Sequence, residues 1–299
     1  MHSVDKKIFI LLIFSIALSS CSEDSITQIE TENQANTTIL ATRSSEALMD
    51  LSYGEESQKL YDIYLPANRS SATTKVFVLI HGGNWTSGDK NDMNSFVERL
   101  QRLYPNHAIA NVNYVLSTQE TTAFPNQFFN IGDMLDELTE KSEEYQILPE
   151  FALIGQSAGA HLSLMYDYEY DELDRVKMVC SIAGPTDFTN PFYQEDRDFE
   201  AVVARLVDED AYPPNANIVR RLSPALRVNP DSSPTIIFHG INDNIVPLAN
   251  AKKLKRKLKK KFIPKKLVKF EAGHANWNED IMAVFETKFS RFVNNHFAI

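Results

Sequence analysis

Short apolar runs of strand length recur along this chain, each closed by a turn-forming segment and followed by a stretch with helical spacing. Lys75-Val76-Phe77-Val78-Leu79-Ile80 runs into His81-Gly82-Gly83-Asn84-Trp85. Phe151-Ala152-Leu153-Ile154 runs into Gly155-Gln156-Ser157-Ala158-Gly159, and then into the helix-like Ala160-His161-Leu162-Ser163-Leu164-Met165. Met178 to Ala183, Thr235-Ile236-Ile237-Phe238 and Leu267-Val268-Lys269-Phe270 repeat the pattern. Continuous β-branched runs of this length read as strands buried on both faces. Alternating with helix-like segments, they predict an α/β fold with a doubly wound, mostly parallel sheet.

The turns after these strands carry the candidate chemistry. Strand, sharp turn and helix around Gly155-Gln156-Ser157-Ala158-Gly159 meet the requirements of a nucleophile elbow, in which small neighbours let the backbone present a serine. Alone, such a pentapeptide is as readily a structural turn. After the earlier strand, Gly82 and Gly83 let backbone N–H groups approach a substrate without an intervening Cβ. Together with the N–H of Ala158, they form a candidate oxyanion hole for the charge that acyl transfer builds. Asn84 and Trp85, next along that loop, are the candidate pocket residues. The chain has only 10 glycines in 299 residues, below the average of about 7%. Seven of them, Gly82, Gly83, Gly155, Gly159, Gly184, Gly240 and Gly273, fall just past an expected strand. They gather at the sheet edge where ligands bind in open α/β folds.

An acid and a base follow in order. Asp243 lies just past the strand ending at Phe238, and His274 just past the one ending at Phe270. Serine, acid, histidine is the chain order of this fold's triads. Asp187 rivals Asp243, although its Gly-Pro-Thr-Asp setting suits a turn cap. His296 also follows the acid, near the end of an apparent terminal helix. His81 and His239 read as loop-ordering residues and His161 as a packed helix residue.

From about Met49 onward the chain resembles the α/β-hydrolase superfamily. Within it, it is most similar to small carboxylesterases of the feruloyl-esterase-like group, related to kynurenine formamidases and the hormone-sensitive-lipase branch. The resemblance rests on Asp62-Ile63-Tyr64-Leu65-Pro66, His81-Gly82-Gly83-Asn84-Trp85 with Gly88-Asp89-Lys90, Asn113-Tyr114, the elbow, Ser223-Pro224, His239-Gly240-Ile241-Asn242-Asp243 and Gly273-His274. It implies Ser157 as nucleophile, His274 as base, Asp243 as its partner, and Gly82, Gly83 and Ala158 as oxyanion donors. Asn84 departs from the small residue common in relatives, which leaves the acyl preference open.

The N-terminus reads as a processing signal. Lys6-Lys7 precedes an apolar stretch, Ile8 to Leu18, too short to span a bilayer comfortably. Leu18-Ser19-Ser20-Cys21 resembles a bacterial lipobox, which implies a signal peptide over 1–20, lipidation of Cys21 and an envelope location, expected at the outer membrane. The polar segment 21–47 reads as a flexible tether, and 48–299 as one catalytic domain. Cys180 is then the only other cysteine, expected in the core. Residues 186–222 interrupt the strand pattern with Phe188, Phe192, Tyr193, Phe199 and Tyr212 among many acids. They read as a small cap walling the pocket, or as an excursion packed on the sheet edge.

A net charge of −10 argues against nucleic-acid binding. Lys252 to Lys269 is dense in lysine, with Ala251, Leu254, Leu258 and Phe262 at helical spacing. The reading is an amphipathic helix with a charged outer face, or a docking patch for anionic lipid or acidic polysaccharide. Dispersed histidines leave no metal cluster and no cofactor is implied. The expected activity is serine carboxylesterase action on a small ester or acylated oligosaccharide. An amidase or peptidase on the same triad and a non-catalytic binding module are the alternatives. Oligomeric state leaves no trace in the sequence.

Overall fold

The computed structural model describes residues 44–274 and 277–299. The expectations for the signal segment, for Cys21 and for most of the tether lie outside the described residues. Among the described residues, eight strands form one sheet: β1 (Glu46–Ser52), β2 (Leu60–Leu65), β3 (Val76–Ile80), β4 (Ala108–Val112), β5 (Phe151–Gln156), β6 (Val176–Ile182), β7 (Thr235–Gly240) and β8 (Lys265–Phe270). Glu46 thus opens the first strand ahead of the expected boundary at residue 48. The spatial order is β1-β2-β4-β3-β5-β6-β7-β8. Strands β3 to β8 are parallel, and β1 and β2 close one edge antiparallel.

The central strands are apolar on both faces because helices cover both. Val76, Val78 and Ile80 of β3 join one core with Leu135 and Leu138 of helix Asn126–Glu140, Leu162 of helix Ala158–Glu169 and Leu254 of helix Ala249–Lys260. Phe77 and Leu79, alternating with them, face the opposite core with Val97 of helix Asn94–Leu103 and Phe285 and Phe289 of helix Glu279–His296. Successive strand side chains point to opposite faces, so an unbroken apolar run is what a two-sided core selects. Cys180 is buried in this second core.

One expectation about side-chain placement changes. Phe262 does not continue the apolar stripe of Ala251, Leu254 and Leu258. The helix ends at Lys260, Phe262 is 91% exposed at φ 63°, and Ile263 takes the buried place beside Leu258. The segment 186–222 folds into short helices, Pro191–Gln194, Phe199–Leu206 and Ile218–Arg221. It is pinned where Phe124 N–H donates to Leu206 O and Asp208 N–H to Phe124 O, both at 2.9 Å. Its Phe188 ring packs on His161 and Trp85, at 5.3 and 6.0 Å between centroids. These aromatics cover the helix after the elbow.

The order of strands places the chemistry. From β3 the chain passes to β4 on one side, and from β4 back across to β5 on the other; ligands in open α/β sheets bind outside the carboxyl ends at such a switch point. Ile80 of β3 is in register with Gly155 of β5, and Gly240 of β7 with Phe270 of β8. The loops after β3, β5, β7 and β8 therefore emerge at one edge.

Candidate active site

Ser157 joins β5 to helix Ala158–Glu169 with φ 51° and ψ −115°. An L-residue at positive φ is strained and persists only when its surroundings fix it. Here the Ser157 N–H donates to Ile182 O at 2.8 Å, and the Ser157 carbonyl accepts from His161 N–H at 3.1 Å. The turn also presses the helix start onto β3. A Cβ on Gly159 would stand 2.1 Å from Ile80 O, so only glycine fits.

His274 reaches this serine from beyond β8. Its Nε2 is 2.9 Å from Ser157 Oγ, and its Nδ1 is 2.8 Å from Asp243 Oδ2. The carboxylate accepts, so Nδ1 carries the proton and Nε2 presents its lone pair to the hydroxyl. Asp243 Oδ1 accepts the N–H groups of Ile245 at 2.9 Å and Val246 at 2.8 Å. Burial pushes the Asp243 carboxyl up. The hydrogen bonds from His274, Val246 and Ile245 outweigh it and hold the group below its ordinary value, ionised. His239 braces the same loop, its Nε2–H donating to Val246 O at 2.8 Å, and burial depresses its pKa so that it stays neutral.

The rival residues are engaged elsewhere. Asp187 is paired with Lys253 and accepts from the N–H and hydroxyl of Thr189. His296 packs against Phe292 at 4.5 Å near the end of the last helix. His161 is fully buried against the Leu222 carbonyl, and His81 Nδ1–H donates to Gly82 O at 2.7 Å.

The loop after β3 turns through three successive left-handed residues, Gly83 (φ 113°), Asn84 (φ 53°) and Trp85 (φ 64°). A Cβ on Gly83 would sit 1.9 Å from Ser87 O. The carbonyls of this loop are held in the scaffold: Tyr114 OH donates to His81 O at 3.1 Å, His81 to Gly82 O, and Thr86 and Ser87 N–H to Gly83 O. In a trans peptide the N–H points opposite the carbonyl before it. The N–H groups of Gly82, Gly83 and Asn84 are thereby turned away from the scaffold. The Ala158 N–H, in the first turn of its helix, has no intrahelical acceptor. Gly82 itself lies close to the serine, since an added Cβ would meet Ser157 Cβ at 3.2 Å.

Segments far apart in sequence interlock behind this loop. Lys90 Nζ is 3.0 Å from Asp62 Oδ2 and 2.8 Å from Asp50 Oδ1. Lys90 N–H donates to Asn113 Oδ1, Asn113 Nδ2 donates to Asp89 Oδ2 at 2.9 Å, and the Tyr114 ring stacks on His81 at 4.3 Å.

Ser157 and His274 open into a cleft of about 370 Å³ that Gly82, Gly83 and Asn84 also line. Asp92, Gln156 and Ile245 complete it, and sequence reading missed them. Gln156 lies inside the elbow pentapeptide, a usable signal; Asp92 and Ile245 carry none, because only the fold sets their loops opposite one another. Trp85 is a correction: it does not line the cleft. Its left-handed backbone turns the side chain inward, where it is 9% exposed and packs edge-on to Phe124 at 5.5 Å and His161 at 5.3 Å. No residue of 186–222 lines the cleft either. Among the described residues no group of three or more His, Cys, Asp or Glu is set to hold a metal ion.

Comparison with known proteins agrees with this architecture. The bifunctional GH43-CE protein of Bacteroides eggerthii superposes with a TM-score of 0.69 at 19% identity, over 82% of this chain and 38% of that one. A probable carboxylic ester hydrolase of Mycobacterium tuberculosis, LipM, is 27% identical over 68% of this chain and 49% of its own. The kynurenine formamidase of Danio rerio is 24% identical over 47% of this chain and 46% of its own. The matches thus span about half the length of these two relatives. The sequence model of the BD-FAE family matches residues 61–258, from β2 through helix Ala249–Lys260. The chain has the α/β-hydrolase fold and belongs to the BD-FAE family.

Proposed function

We propose that this protein is a serine carboxylesterase acting on short acyl esters, including acetyl or feruloyl groups on carbohydrates. The observation that carries the reading is the continuous hydrogen-bonded series Asp243–His274–Ser157 opening into the cleft. In this reading His274 Nε2 takes the hydroxyl proton as Ser157 Oγ attacks the ester carbonyl. The oxyanion is held by the N–H groups of Gly82, Gly83 and Ala158. The imidazolium, steadied by ionised Asp243, then gives its proton to the departing alcohol. Water, deprotonated by His274, attacks the acyl-enzyme; the Oγ–acyl bond breaks, His274 returns the proton to Ser157 Oγ, and the acid leaves. The polar walls, Asn84, Asp92 and Gln156, favour a short acyl group over a long alkyl chain.

The test is a p-nitrophenyl ester series run beside acetylated xylo-oligosaccharide and methyl ferulate, with fluorophosphonate labelling. Acetyl to butyryl esters are expected to give the highest kcat/KM, with the label on Ser157. Preference for acyl chains beyond about ten carbons, or a label elsewhere, would overturn the proposal. The formamidase relative motivates one second reading, amide hydrolysis on the same residues. Stronger turnover of N-formylkynurenine than of any ester would favour it.

We further propose that Cys21 is lipidated and holds the domain at the cell envelope. Labelled palmitate should enter the wild type and not Cys21→Ala; a soluble wild type beginning at or after Ser22 would refute this.

A further inference from the structure

The stretch Ala249–Phe270 holds eleven Lys and Arg residues and no Asp or Glu, in a chain of net charge −10. On helix Ala249–Lys260, Ala251, Leu254 and Leu258 face the core, while Lys252, Lys255, Arg256, Lys259 and Lys260 form an exposed outer stripe. Among the described residues, Lys253 alone of the eleven has a carboxylate within ion-pair distance, that of Asp187. Burial together with Lys253, Lys260, Arg256 and Arg220 depresses the Lys257 pKa, a sign of uncompensated positive charge. Such a surface is costly to keep unless an anion meets it.

Phe262 stands in the middle of this charge. The helix ends in a Schellman motif: Phe262 N–H donates to Lys259 O at 3.2 Å and Ile263 N–H to Leu258 O at 3.1 Å. The left-handed position of this motif is ordinarily glycine, because a Cβ there is strained. Here it is an aromatic residue, at φ 63° and 91% exposed. Its ring contributes no packing that would offset the backbone strain.

The register fixes where this group lies. Lys265 opens β8 in register with Thr235, the start of β7, at the sheet edge where the parallel strands begin. Lys259, Lys260, Lys261, Lys265 and Lys266 flank Phe262 at that edge. Ser157 and His274 lie past the opposite edge, a strand length of roughly 20 Å away. Glu46, at the start of β1, lies level with that edge on the far side of the sheet: it pairs with Leu65, and neighbouring Tyr64 with Ile109 near the start of β4.

The geometry points to a docking surface for an anionic phospholipid membrane, with Phe262 inserted among the headgroups and the Ser157 cleft facing away. Lysines supply the attraction to anionic lipid, and an exposed aromatic among them supplies the apolar wedge that a soluble polyanion would not need. Docked this way, the protein keeps the cleft open to solvent-borne substrate. The surface acts independently of Cys21.

The test places an environment-sensitive fluorophore on Phe262→Cys in the full chain carrying Cys21→Ser, with the fluorophore on Glu120→Cys beyond β4 as the remote control. Vesicles of phosphatidylglycerol with phosphatidylcholine should shift the emission at 262 to the blue. Pure phosphatidylcholine should not, high salt should reverse the shift, and position 120 should stay unchanged. Lys259→Glu combined with Lys260→Glu and Lys261→Glu should weaken the response about tenfold or more, with p-nitrophenyl acetate hydrolysis unaltered. A second variant separates docking from folding: Phe262→Gly should raise thermal stability, glycine being the favoured residue there, yet lose anionic-vesicle binding several-fold. An unshifted probe at 262, or binding indifferent to Phe262→Gly, would overturn the proposal. So would polygalacturonate binding stronger than vesicle binding, which would assign the face to an acidic polysaccharide.

Discussion

Ser157 Oγ and His274 Nε2 stand 2.9 Å apart although 117 residues separate them in the chain. The two loops meet because β5 and β8 end at one edge of the sheet, and the contact leaves the imidazole lone pair on the hydroxyl. Replacing Ser157 with Ala should lower kcat on the order of 10³- to 10⁶-fold with the urea unfolding midpoint little changed. Single-turnover hydrolysis of p-nitrophenyl acetate measures it, and a variant within tenfold of wild type would refute the assignment.

The two aspartates are predicted to separate cleanly. Asp243→Asn loses the ionised partner of His274 and should cost roughly 10³- to 10⁴-fold in kcat. Asp187→Asn breaks the Lys253 contact outside the cleft and should change kcat by less than about tenfold. Equal losses in folded variants would return the acid role to contention.

Gly83→Ala should damage activity more than an ordinary loop substitution. The new Cβ would sit 1.9 Å from Ser87 O at φ 113°, so the loop must shift and carry its N–H groups with it. The expected pattern is a kcat loss of about 10²-fold or more with KM little altered. A change confined to KM would count against an oxyanion role for this loop.

Lys90→Ala tests the scaffold. It would leave Asp62, which is fully buried, without its cation, and breaking such a pair costs about 3–5 kcal/mol. Urea unfolding should show that loss, while Lys90→Ala paired with Asp62→Ala should recover part of it. Wild-type stability in the single variant would mean that the pair is not a clamp.

Stability should fall on acidification between about pH 6.5 and pH 4. Burial lowers His107 and His161 from 6.5 to about 4. In that window the unfolded chain therefore binds more protons than the folded one, and stability rises with pH. Each histidine contributes on the order of 3 kcal/mol over the whole window. Asp167 opposes them: burial, only partly countered by hydrogen bonds from Ser233, raises it from 3.8 to about 7. Its folded form holds the proton longer, so its contribution declines as pH rises. Asp167→Asn should thus steepen the acid loss, as read from urea midpoints across this range. A midpoint that rises toward pH 4 would contradict the assignment.

Local pattern was enough to find β3 and β5 to β8 and their order along the chain; β1, β2 and β4 were not among the strands read from it. Runs such as Val76–Ile80 and Phe151–Ile154 are apolar on both faces, and that local pattern admits few structures other than buried strands between helices. The turn glycines and the elbow around Ser157 were legible because each is a short-range signal, and chain order favoured Asp243 over its rival Asp187 without excluding it. Tertiary structure decided which aspartate stands against His274, because that depends on β7 lying beside β8 with their ends level. It turned Trp85 into the core, where positive φ held by the loop's own hydrogen bonds sets the direction of the ring. It set Asp92 and Ile245 into the cleft, and it left Phe262 exposed where helical spacing would bury it, because the helix stops at Lys260. Periodicity records which face a residue prefers within an element; once the element ends, non-local contacts fix where the side chain goes.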